Sequence, residues 1–248
     1  MLYGNESISQ YSKGNIVVWM TMAFQAGVVN VGGFLACHRF VSHVTGFATF
    51  FGIEVAKDSL LHATGMLAVP GFFLLGSMIS GQLVDVPLRT KKKPRYYISF
   101  GLIFLFILSA MVGGMQGIFG EFGGVLDKRG YFLLAILCLV CGLQNGTVST
   151  VSHSVIRTTH LTGITTDLGV GLVRVLNARS LPRLHDEEVQ ANMMRCGIIL
   201  FFFLGSIAGA FVFFRFAFAG FFLPALTSGG LFMAMIYFQV LKKYSRRS

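Results

Sequence analysis

Apolar runs long enough to cross the hydrocarbon core of a bilayer, which takes roughly 20 residues, lie at Ile16–Cys37, Leu60–Val84, Tyr96–Ile118, Tyr131–Val151, Met193–Phe218 and Gly220–Leu241. Each predicts a transmembrane helix, so six spans are expected. Two further segments, Val41–Ala56 and Thr158–Leu176, are apolar but short and carry Thr, Gly, His and one acid each. Irregular backbone at membrane depth survives only where it lines protein or water. Both segments are therefore expected to be broken or re-entrant half-helices.

Composition agrees with this pattern. Hydrophobic residues make up 54% of the 248 positions and charged residues only 12%, too few to cover a water-facing surface. The class expected is an all-α integral membrane protein. Its net charge of +10 is unevenly spread. Arg89, Lys91, Lys92, Lys93 and Arg95 fill the link between the second and third spans, Arg157 to Arg195 flank the second half-helix, and the C-terminus ends on Lys242, Lys243, Arg246 and Arg247. With Lys13, 15 basic residues fall on one side and 5 on the other, provided neither half-helix crosses fully. The positive-inside rule then puts both termini in the cytoplasm, and a plasma (inner) membrane is the expected location. The charge needs no nucleic-acid partner.

The polar interruptions come in copies. Gly27-Val28-Val29-Asn30, then His43-Val44-Thr45-Gly46 and Gly52, reappear as Gly142-Leu143-Gln144-Asn145, then His160-Leu161-Thr162-Gly163 and Gly169. A third anchor, Phe73-Leu74-Leu75-Gly76-Ser77, reappears as Phe202-Phe203-Leu204-Gly205-Ser206. The offset grows from 115 to 117 to 129 residues, as insertions in connecting loops would make it. Residues 1–120 and 121–248 are thus expected to be two repeats of one membrane domain, each with three spans and a half-helix. Three is odd, so the second copy enters the bilayer from the opposite side. Such a 3+3 inverted-topology repeat with discontinuous helices is the architecture of many secondary transporters, with the site at the repeat interface.

Thr45-Gly46 and Thr162-Gly163 sit where the half-helices should begin. Thr can cap orphan N–H groups and Gly allows close approach, and a helix N-terminus inside a membrane favours an anion. Arg39 and His43 precede the first break, Arg157 and His160 the second. The plainer alternative is that Thr and Gly only repair a helix break; it does not account for His at the same place in both copies. Asn30, Gln144 and Asn145 interrupt apolar spans, so they should face the interior, bonded to substrate or to broken backbone. Asp167 follows the second break by about one turn and either complements the helix dipole with Arg174 or couples transport to a proton or cation. The Asp186-Glu187-Glu188 cluster is explained by solvation at a membrane edge. Cys138 and Cys141 are expected to pack as small hydrophobes.

These blocks, Phe40-Val41-Ser42-His43-Val44-Thr45-Gly46 and Gly-Leu-Gln-Asn with Thr158-Thr159-His160-Leu161-Thr162-Gly163, resemble the YoaK-like family of bacterial multi-spanning membrane proteins, catalogued as a domain of unknown function. The resemblance covers nearly the whole chain. It implies a small integral membrane transporter and supplies no substrate. The family pattern has Asp where this chain has Asn30 and Asn where it has Phe47.

Three functions compete at this stage. A transporter of a small polar or anionic solute would use Asn30, His43, Thr45, Gly46, Gln144, Asn145, His160, Thr162, Gly163 and Asp167 as its site. A small-anion channel would use the same helix ends. A metal site or membrane enzyme would need His38, His43, His153 and His160 to converge; no Cys or carboxylate cluster accompanies them and no nucleophile–base–acid constellation is visible. The chain therefore reads as a non-enzyme without cofactor or metal. Its expected partners are a small-molecule or ion substrate and the lipid bilayer, and a homodimer is compatible with the pattern.

Overall fold

The computed structural model describes residues 13–151, 161–177 and 185–241, which contain helices and turns and no strand. In chain order the helices are α1 (Lys13–Cys37), α2 (Val44–Ala56), α3 (Leu60–Ser80), a single turn α4 (Val86–Arg89), α5 (Tyr96–Met115), α6 (Lys128–Val151), α7 (Leu161–Leu176), α8 (His185–Phe216) and α9 (Phe222–Ile236). A π-helical turn, Gly81–Asp85, joins α3 to α4, and another, Tyr237–Leu241, extends α9. The two segments expected as half-helices are α2 and α7. At 1.5 Å per residue, α2 reaches only about 20 Å, too short for a core about 30 Å thick.

Among the described residues, five helical runs are long and apolar enough to cross a membrane: Gly14–Cys37, His62–Arg89, Tyr96–Met115, Lys128–Ser149 and Asp186–Leu241. The last contains both of the final two expected spans. It is broken by the 3₁₀ turn Ala217–Phe221, where Ala217 adopts a left-handed φ of 45°. Phe213 and Phe221 stack edge to face with ring centres 4.8 Å apart. Eight residues of straight helix rise about 12 Å, so the chain bends back there.

The outer face is far more apolar than that of a water-soluble bundle. The most apolar stretch, in Asp186–Leu241, is only 22% buried, while the less apolar Lys128–Ser149 is 72% buried. Phe211, Phe214 and Leu60 face outward, and Asn15, Gln25, Ser80, Ser99 and Ser228 are fully enclosed. An apolar outer face around a core that encloses the polar groups is the arrangement a hydrocarbon solvent selects.

Helix α1 packs along α8, α3 along α6 and α5 against α9; α2 lies on α3 and α7 on α8. Four glycines let two of these pairs approach until backbone meets backbone. A Cβ on Gly27 would overlap the Phe202 carbonyl, and one on Gly205 the Phe24 carbonyl, both across α1–α8. A Cβ on Gly142 would overlap the Phe73 carbonyl, and one on Gly76 the Leu139 carbonyl, both across α3–α6. Beside them Ser206 Oγ donates to the Gly27 carbonyl at 3.5 Å and Ser77 Oγ to the Gly142 carbonyl at 3.1 Å. Small residues at such crossings are the usual means of helix association in lipid, where no hydrophobic effect drives one apolar helix onto another.

Candidate functional site

After α1 the chain does not simply turn over the top of the bundle. His38, with φ 52°, ends the helix, and the next residues run back down beside it. Ser42 Oγ donates to Asn30 Oδ1 at 3.0 Å, and Cys138 Sγ donates to the Val41 carbonyl at 3.2 Å. Asn30 lies seven residues before the end of α1, about 10 Å in. A Cβ on Gly33 would strike Val41, so that glycine gives the descending segment room. Helix α2 then climbs back out to Lys57. Its N-terminus therefore begins about two turns or more below the end of α1, with its lead-in, Val41 and Ser42, buried and bonded to protein and its first residues exposed.

The expected site residues fall into separate places. His43 is the N-cap of α2; its carbonyl accepts from the Gly46 N–H at 3.0 Å, but its side chain makes no capping bond and is exposed. Thr45 is already inside the helix with an exposed side chain, so the expected Thr45 cap is not formed. Gly46 meets only the His43 Cβ, at an ordinary 3.6 Å; no protein group uses its missing side chain. Thr162 and Asp167 on α7 are exposed and Gly163 is half-buried. His160 lies outside the described residues, as do His153 and Arg157. Arg174, expected beside Asp167, instead reaches Glu188 on α8 at 3.1 Å. Because α2 lies on α3 and α7 on α8, the two Thr-Gly segments belong to different helix pairs.

The amides do lie inside. Gln144 Oε1 accepts from Gln25 Nε2 at 2.9 Å, and Gln144 Nε2 donates to the Met22 carbonyl at 2.8 Å. Thr227 Oγ1 donates to Gln25 Oε1 at 2.8 Å, so one network ties α1, α6 and α9. A second centres on Thr147, whose hydroxyl bonds Ser80 at 2.9 Å and Ser99 at 2.7 Å. Asn145 is buried as well. Both amide hydrogen-bonding functions of Gln144 are engaged by protein, which favours the structural of its two expected roles.

A cavity of about 270 Å³ opens at the end of the bundle where α1 finishes and α3 and α6 begin. Its polar wall is His38, Arg39, Glu54, His62 and Tyr131, and its apolar wall Met66, Val125 and Leu126. Arg39 is fixed on two sides: its Nη1 donates to the His38 carbonyl at 2.8 Å and its guanidinium lies 4.2 Å from the centre of the Phe50 ring, a cation–π contact worth about 0.5–2 kcal/mol. Its Nε is buried and has no hydrogen-bond partner. His62 Nδ1 and the Tyr131 hydroxyl lie 3.3 Å apart. His38 Nε2 lies 2.9 Å from the Gly123 carbonyl, and the Gly123 N–H donates to the Ala36 carbonyl at 3.2 Å. These bonds hold the 116–127 loop over the cavity. Sequence patterns do not point to His62 and Tyr131; a lone His near the start of an apolar run is the one signal they leave. Among the described residues no three His, Cys, Asp or Glu side chains gather as a metal site.

At the opposite end α7 and α8 meet through charge. Glu188 Oε1 accepts from Arg195 Nη1 at 2.6 Å and Oε2 from Arg174 Nη1 at 3.1 Å. Arg195 Nη1 also reaches Asn192 Oδ1 at 2.6 Å. The acidic cluster is thus more than a solvated edge: Asp186, Glu187 and Glu188 form the first turn of α8, where acids complement the helix dipole, and Glu188 is a strut between helices. Cys37, Cys138 and Cys141 are buried free thiols and Cys196 an exposed one.

A family model described as "Protein of unknown function (DUF1275)" matches residues 18–235. The chain belongs to that family. DUF1275 is the YoaK-like family that the two His-x-Thr-Gly blocks resemble, and the match runs from α1 to the end of α9. No curated protein and no solved structure matches the chain.

Proposed function

We propose that this DUF1275 member is a bacterial inner-membrane transporter that moves a small polar or anionic solute by alternating access between two inverted three-span repeats, both termini lying in the cytoplasm. It is not an enzyme. The observation that carries the reading is the reciprocity of the glycine contacts. Gly27 meets Phe202 and Gly142 meets Phe73; Gly205 meets Phe24 and Gly76 meets Leu139. Shifting α1 residues by 115 and α3 residues by 129 turns each contact into its counterpart, and the same shifts exchange the Ser77 and Ser206 bonds. A two-fold relation between halves of opposite orientation accounts for all of them at once. Such halves can rock about their shared interface, exposing one end and then the other.

The descending segment before α2 supports the same reading, because irregular backbone starting well below the end of the neighbouring span is the hallmark of a discontinuous helix. The six-span count follows from dividing the last helical run at Ala217. Purified protein reconstituted into liposomes is expected to give saturable, solute-dependent uptake of small polar or anionic compounds. Single cysteines in the 89–95 link and at residue 125 are expected to label from opposite sides of the membrane. Unitary ion currents without saturable uptake would replace the transporter with a channel, and same-side labelling would remove the inverted repeat.

A further inference from the structure

We infer that the cavity between α2, α3 and the start of α6 binds a small zwitterion, an amino-acid-like solute whose carboxylate docks on Arg39 and whose ammonium meets Glu54. This deepens the transporter reading by naming a substrate class, and rests on it for the solute's route across the membrane.

Two charges face one space here without pairing. Arg39 and Glu54 both line the cavity, yet the ion pair of Glu54 runs to Lys57 at 3.8 Å, and that lysine is 65% exposed. A pair that long and that wet holds its carboxylate weakly. Arg39 has its face on Phe50 and its Nη1 on the His38 carbonyl, while its buried Nε–H has no hydrogen-bond partner. Leaving a buried donor of a permanent cation unsatisfied is costly. The guanidinium lines the cavity without an ion-pair partner among the described residues, and a carboxylate in its plane adds short, charge-assisted bonds.

The neighbouring acid selects among anions. A simple anion on Arg39 would be repelled by Glu54, and a simple cation at Glu54 would be repelled by Arg39; one molecule carrying both charges satisfies both. Met66, Val125 and Leu126 supply an apolar wall for a short side chain. The volume of about 270 Å³ lies just below the usual range of drug-sized pockets, about 300–1,000 Å³, so it suits a small metabolite and leaves no room for acyl chains.

The test is equilibrium binding to the purified full-length protein in detergent, by thermal shift and competition, with alanine and leucine, their N-acetyl derivatives and their amides. The free amino acids are expected to bind, and the derivatives lacking one charge to bind at least about tenfold more weakly. Glu54→Gln is expected to abolish the preference for leucine over N-acetyl-leucine, and Arg39→Gln the preference for leucine over its amide. Because Arg39→Gln also removes the Phe50 contact and can fail to fold, the Glu54→Gln comparison is sufficient by itself: an undiminished preference in that variant would overturn the inference. So would equal binding of leucine and N-acetyl-leucine to the unaltered protein, no binding by any of the set, or binding of short-chain phosphatidylethanolamine in their place. Binding without liposome uptake would break the transporter reading and leave this site; uptake of other solutes with none of these zwitterions bound would do the reverse.

Discussion

The α2–α3 pair at one end of the bundle is hollow, and the α7–α8 pair at the other is filled. The residues that differ stand at matching places in the two copies. Glu54 on α2 aligns with Gly171 on α7, at an offset of 117, and Met66 on α3 aligns with Arg195 on α8, at an offset of 129. At the hollow end α2 offers a long acid, α3 an uncharged thioether, and a cavity remains between them and α6. At the filled end α7 offers no side chain at all, and Arg195, Glu188 and Asn192 close directly on its backbone: a Cβ on Gly171 would collide with all three. The same framework of spans is thus open at one end and latched at the other, and the latch is a set of ion pairs that water or a changed charge can release. In the transporter reading this is one conformer of an alternating pair, with Arg174–Glu188 across α7 and α8 as its closed gate.

The framework that both ends share is the first thing to break. Gly205→Val is expected to cost more than the roughly 1–3 kcal/mol of ordinary overpacking, because the colliding atom is the Phe24 backbone carbonyl rather than a movable side chain. Loss of the monodisperse peak in size-exclusion chromatography checks this, and a well-folded variant would refute the backbone contact. At the filled end, Glu188→Gln is expected to cost about 3 kcal/mol, since Arg195 is only 12% exposed and would lose its counter-charge. The melting temperature in detergent should fall, and an unchanged one would remove the latch.

Gly171→Ala separates packing from charge. It leaves every charge in place, yet its Cβ forces the cluster apart, at about 1–2 kcal/mol. Gly52→Ala and Gly169→Ala provide the contrast. A Cβ at either position meets nothing within 4 Å, so both changes are expected to be neutral or to stabilise by up to about 1 kcal/mol through helix propensity. Destabilisation there, read from thermal melts, would mean that these copied glycines serve a contact that forms in another conformer. Thr45→Val should have the smallest effect on stability, within about 0.5 kcal/mol, because its side chain is exposed and caps nothing.

Much of the frame was legible from periodicity and repetition. Apolar runs of span length became α1, α3, α5, α6, α8 and α9, and the two short polar ones became α2 and α7. Gly27, Gly76, Gly142, Gly205, Ser77 and Ser206 stand out as small residues repeated at fixed offsets, and all six lie at helix crossings. Less of the candidate site could be read. The copied Thr-Gly pairs drew attention as helix starts, but the cap of the first helix is His43, two residues before Thr45, because the chain descends beside α1 before it coils. Arg39 and Glu54 are 15 positions apart and His62 and Tyr131 are 69 apart; no spacing rule connects them. Their meeting depends on how far α2 climbs and on where the 116–127 loop is pinned.

What the chain determined by itself is its solvent and its helices: 54% hydrophobic residues in runs of span length leave a helical membrane bundle as the structure that satisfies every backbone group in lipid. What only the tertiary arrangement decided is which polar groups meet. The Gln25–Gln144–Thr227 bonds, the Arg39 cavity and the Arg174–Glu188 latch join residues from different helices, and such contacts are set by crossing positions and depth, which a linear pattern of apolar and polar residues does not encode.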